Sequence, residues 1–159
     1  MAKSKDNSLR TIVTFTCPAF KCIDEADDKP RFRGTFGDDL AVWLMLELET
    51  NGVDVVPGLN QADAGWYFTI RFGGKPHIVL ARLRDTIGPV WQVSIERDVH
   101  GAAALFGGRR RGVRNSAASI LHLVLSKSDK VANVRWHHER DINAGQEQKA
   151  TLEPLPGLG

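Results

Sequence analysis

The sequence predicts an α+β protein: a two-layer sandwich of a mainly antiparallel sheet with two helices on one face. Three observations carry that prediction. Between residues 65 and 98 the apolar period is two, in three consecutive segments separated by Gly and Pro turns. Two stretches, GDDLAVWLMLELETNG and SAASILHLVLSK, have helical length and spacing. The β-branched segments TIVTFTC and VANVRWHHE lie at either end of this central block, giving the order strand, helix, three-strand meander, helix, strand.

In order along the chain, Thr11–Cys17 reads as a strand whose pairing ends at Pro18. A polar connection follows, with Asp24, Glu25, Asp27 and Asp28 close together; lacking the glycine and spaced oxygen ligands of a calcium loop, it reads as a solvated run. In the first helix Asp38 or Asp39 is the expected N-cap, and Asn51-Gly52 the left-handed stop. Leu40, Trp43, Leu44 and Leu48 form one apolar stripe, with Val42, Met45 and Leu46 around the rest of the circumference. Such a helix needs cover on two sides, from a loop of its own chain or from a second copy in a homodimer.

A short strand is expected at VDVV. In GWYFTIRF, Trp66, Phe68, Ile70 and Phe72 face one way and Tyr67, Thr69 and Arg71 the other. HIVLARLR follows after Gly73-Gly74, and WQVSIERD sets Trp91, Val93 and Ile95 against Gln92, Ser94 and Glu96. The second helix starts at Asn115 or Ser116. It buries Ala117, Ile120, Leu121, Val124 and Leu125, and leaves Ser119, His122 and Ser126 on the wet side. One domain over residues 10–140 is expected, with residues 1–9 disordered and 141–159 a disordered or loosely attached tail.

Composition narrows the function less than the fold. Of 159 residues 42% are apolar and 25% charged, and the formal net charge of +2 is too small to imply a nucleic-acid partner. No apolar run reaches the roughly 18 residues of a membrane span, so no membrane partner and a cytoplasmic location are expected. Cys17 and Cys22 cannot by themselves complete a four-ligand zinc shell and read as free thiols. His137 and His138 are adjacent in a strand and point to opposite faces, so no metal site is expected there, and no sequence motif calls for a cofactor.

Two surfaces remain as candidates. The polar side of the meander, extended by the last strand, gathers Tyr67, Arg71, Arg82, Glu96, Arg135 and His137, where planar guanidinium groups suit a protein partner. In LFGGRRRGVR, Arg109, Arg110, Arg111 and Arg114 stand among glycines just before a helix N-terminus, an arrangement suited to an anion such as phosphate or a nucleic-acid backbone. The expected function is therefore a small non-catalytic binding domain engaging a protein partner through its polar sheet face. The alternatives are an anion or nucleic-acid binding module using the arginine loop, and a small-molecule enzyme with Tyr67, Arg71, Glu96 and His137 around one pocket.

Overall fold

The computed structural model describes residues 8–20, 36–85, 89–98 and 113–155. Seven strands, β1 (Ile12–Thr16), β2 (Asp54–Val55), β3 (Asn60–Ala62), β4 (Gly65–Phe72), β5 (Lys75–Asp85), β6 (Val90–Arg97) and β7 (Ala132–His137), form one sheet. Its order is β2-β4-β5-β6-β1-β7, with β3 also pairing β4, and the described ladders are all antiparallel. Helices α1 (Asp38–Thr50) and α2 (Asn115–Lys127) pack on one face, and α3 (Glu139–Asn143) follows β7. This is the expected α+β two-layer sandwich. Among the described residues no helix is long and apolar enough to cross a membrane.

The core follows the alternation of the strands. Val13 and Phe15 of β1, Phe68 and Ile70 of β4, Val79 and Ala81 of β5, and Trp91, Val93 and Ile95 of β6 meet Leu40, Leu44 and Leu48 of α1 and Leu121 and Leu125 of α2. Burial of these side chains is the main favourable term in the fold, at roughly 1.5–3 kcal/mol for each large one. The Trp91 indole is fully enclosed and donates its Nε1–H to the Cys17 carbonyl at 3.0 Å, so its one polar atom is satisfied. Cys17 is a free, buried thiol; Cys22 and the acidic run from Asp24 to Asp28 lie outside the described residues.

The helix ends are built partly as expected. At the C-terminus of α1, Gly52 has φ +84° and Val53 N–H returns to the Leu48 carbonyl at 2.9 Å, while Gly52 N–H bonds Glu49. This pair of bonds is a Schellman motif that only a residue at ease with positive φ supports. The N-terminus differs from expectation: Gly37, at φ +112°, is the cap, and Asp39 accepts the N–H of its neighbour Leu40 at 2.9 Å. At φ +112° any side chain would be strained, so the backbone conformation selects glycine over a polar cap, while a Cβ there would meet Ala81 and Trp91 only at ordinary contact distance. On the outer side of α1, Trp43 stacks at a tilt on Phe20, 5.6 Å between centroids, and Met45 is half-buried. Val42 and Leu46 are exposed among the described residues.

Two elements depart from the sequence reading. β3 was not expected, and it pairs the start of β4. Where a disordered or loose tail is expected from residue 141, residues 141–155 continue through α3 and a 3-10 turn at Glu147–Lys149. They then reach Thr151, which exchanges two backbone bonds with Trp136 (2.7 and 2.9 Å), and Pro154, whose carbonyl takes the Arg10 N–H at 2.8 Å. Backbone pairing holds this segment, and it needs no apolar period.

The closest approach in the sheet is at Gly65, where a Cβ would press into the Ala81 carbonyl. Gly65→Ala is expected to force the β4–β5 pairing apart and to destabilise the domain by roughly 1–3 kcal/mol, the usual range for overpacking. Thermal unfolding followed by circular dichroism checks this, and an unchanged midpoint contradicts it.

Candidate functional site

Alternation places one side chain in two on the sheet face away from α1 and α2. Strand register sorts these residues into rows. Arg82, Gln92, Thr14 and Arg135 form one row across β5, β6, β1 and β7. Tyr67, Leu80, Ser94, Ile12 and His137 form the next, from β4 to β7. Glu96 stands opposite Ile78, and Arg71 opposite Pro76 near the end of β4.

All six residues expected on this face are therefore on it, but they do not make one site. Tyr67 and His137 share a row yet are four strand spacings apart, about 19 Å at roughly 4.8 Å each. A single active centre containing both, as the enzyme alternative needs, does not fit that separation.

The face is also covered unevenly. On the β6, β1 and β7 side, Gln92, Ile12, Thr14 and His137 are each at least nine-tenths buried, with α3 and the turn after it over them. His137 thus departs from its expected exposed position: it is 3% exposed and its Nε2 hydrogen-bonds Thr14 Oγ1 at 2.8 Å. On the β4 and β5 side Arg71 is exposed, and Tyr67 and Arg82 are half-buried. Arg135 is exposed on β7, where its Nη1 donates to the neighbouring Val134 carbonyl at 2.8 Å.

Between the two halves lies a cleft of about 320 Å³. Its floor is Arg82, Arg84, Gln92, Ser94 and Glu96 on the sheet, and its far wall is Glu139, Ile142 and Asn143 on α3. Arg84 is tied to Glu147 by an ion pair. Arg82 makes no ion pair or hydrogen bond among the described residues, and the amide of Gln92, directly opposite, makes none either. The sequence alone put Gln92 and Ser94 on this face without selecting them. The signal that singles out Gln92 is its register opposite Arg82, which a bulge between Leu83 and Asp85 hides from sequence counting.

Behind the cleft a buried polar cluster packs under α3. Arg10, 7% exposed, has its charge form disfavoured by burial and favoured by Asp141, and its Nε and Nη1 have no hydrogen-bond partner among the described residues. Burial, then the charges of Arg84 and Arg10, push the His137 imidazole down to about 4, with Asp141 opposing. His138 is lowered by burial and by Arg10.

The arginine loop divides differently. Arg109, Arg110 and Arg111 lie outside the described residues. Arg114 is the N-cap of α2, with an exposed side chain near the Gly73 turn. Its own N–H is already committed, to Nε2 of His77 at 3.2 Å. His77 is fully buried, with Nδ1 on the Lys75 carbonyl at 2.9 Å; it is held neutral with the proton on Nδ1, and burial lowers its pKa. His122, expected on the wet side of α2, is half-buried instead and accepts the Trp136 Nε1–H at 3.0 Å. A full indole in the core needs an acceptor, and the imidazole one turn along α2 supplies it. Among the described residues no group of His, Cys, Asp or Glu is placed to hold a metal ion.

No protein-family model matches the chain, and neither a curated protein nor a solved structure matches it.

The neutral histidines give the fold a pH dependence of defined sign. In the unfolded chain His137 takes its proton near pH 6.5, in the folded one only near 4. Its contribution is complete above pH 6.5 and is lost as pH falls from there to about 4, amounting to about 3 kcal/mol. Chemical denaturation at stepped pH is expected to show stability falling through that window, and His137→Gln to flatten the fall. An equal slope in the variant contradicts the assignment.

Proposed function

We propose that this chain is a binding domain that engages a protein partner through the polar face of its sheet, on the β4–β5 half and the adjoining cleft. The observation that carries the reading is the state of two arginines. Arg71 and Arg82 both leave the face with no ion pair among the described residues, although Asp54 stands in register with Arg71. An ordinary solvated face would be expected to neutralise such side chains across strands, since opposite charges there are mildly stabilising. With Tyr67, on the same strand as Arg71, they supply the residue types that dominate protein interfaces.

The spread of Tyr67 and His137 over four strand spacings favours binding over catalysis on this face. The arginine loop remains the basis of an anion or nucleic-acid reading, in which affinity falls steeply with salt.

The test is affinity capture by the immobilised chain, compared with an Arg71→Glu/Arg82→Glu double variant and with Lys127→Glu on the exposed end of α2. A partner held by the wild type and by Lys127→Glu, and weakened about tenfold or more in the double variant, is the expected result. A partner held equally by the double variant overturns the reading. Capture of nucleic acid that is stripped by salt and is indifferent to Arg71 and Arg82 moves the function to the arginine loop.

A further inference from the structure

We infer that the cleft between the sheet and α3 seats a single carboxylate on a short aliphatic stem, the side chain of an acidic residue of the partner, gripped by Arg82 and Gln92. The inference rests on the polar face being a protein-binding surface and adds the chemistry by which it would select.

Three donors converge there. Arg82 offers a planar fork of N–H groups, Gln92 faces it across the β5–β6 ladder, and Ser94 is two residues along the same strand face. None of the three side chains makes a hydrogen bond among the described residues. Gln92 is the most telling, because the residue is only 7% exposed and lines the cleft. The rest of the residue is enclosed, so its amide is open only toward the cleft, where a bound carboxylate can accept from its NH₂ in place of water.

Charge and size then narrow the ligand. Arg84 is tied to Glu147, which leaves one uncommitted guanidinium and so matches one negative charge. Glu96 and Glu139 also line the cleft, and because their repulsion scales with charge they disfavour a doubly charged phosphate more than a single carboxylate. Leu80, Ile12 and Ile142 give the cleft apolar walls, which suit a short methylene stem and strengthen a charge-assisted fork. About 320 Å³ is room for one side chain and not for a folded surface.

The experiment is a titration of the whole chain with N-acetyl-glutamic acid α-amide, watched at the Gln92 side-chain NH₂ signals by nitrogen-proton NMR. N-acetyl-glutamine α-amide and inorganic phosphate serve as controls. A saturable shift at Gln92 with the acid, none with the amide, and at least tenfold weaker binding in Arg82→Met are expected. Arg82→Lys keeps the stem and the charge but loses the fork, and is expected to fall between the two. No shift at Gln92, equal affinity in both Arg82 variants and the wild type, or phosphate binding as tightly as the carboxylate overturns the inference. Titration of Gln92 in a protein whose partner capture ignores the Arg71→Glu/Arg82→Glu change upholds this site and overturns the protein reading alone.

Discussion

The fold depends on one strand being covered from both sides. β1 sits between β6 and β7, and Ile12, Val13, Thr14 and Phe15 are all buried, so its two faces both need a second layer. On the side of Val13 and Phe15 that layer is the pair of helices. On the side of Ile12 and Thr14 it is α3 and the chain beyond it. A sheet with a single wet face would place Thr14 and Gln92 in water; this one encloses them, and the need for the second cover creates the cleft at its edge.

Enclosing polar groups shifts the burden onto hydrogen bonds, and neutral imidazoles carry much of it. A neutral ring has one donor and one acceptor, so it can join two elements at once. His77 links the β5 backbone to the first turn of α2, His122 receives the core indole of β7, and His137 bonds the hydroxyl of β1. Each of the three ties two different elements together, His77 and His137 across 37 and 123 residues and His122 across 14. Each also loses its acceptor when protonated, and burial lowers all three; nearby arginines act in the same direction on His77 and His137, while Glu153 opposes it at His122.

What was legible in the sequence was whatever repeats. The period-two segments located β4, β5 and β6 and assigned the side chains of β4 and β6 to their faces, and the Asn51-Gly52 stop located the end of α1. The cap at Gly37 was not legible, because the choice there is made by a left-handed backbone, φ +112°, where the chain turns into α1, and the acidic residues that follow look like equally good caps. The second cover was not legible either: it is held by single contacts such as Arg10 to Pro154 and Arg84 to Glu147, which leave no period behind. The same limit applied to the site. Which residues share the polar face could be read from alternation, whereas the depth of Gln92 and His137, and the distance between Tyr67 and His137, follow from strand order and from a segment with no pattern of its own.

The two bonds between Trp136 and Thr151 bear on how the molecule behaves in a crowd of its own copies. β7 is the outermost strand on its side of the sheet, and its free N–H and C=O groups are a template for any extended chain that drifts past. Thr151 occupies that template at Trp136, and Asn133, with φ +57° where the β1–β7 register shifts, bends the strand before it. The segment that completes the cleft thus doubles as a stop on this edge at Trp136, where an extended chain would otherwise pair.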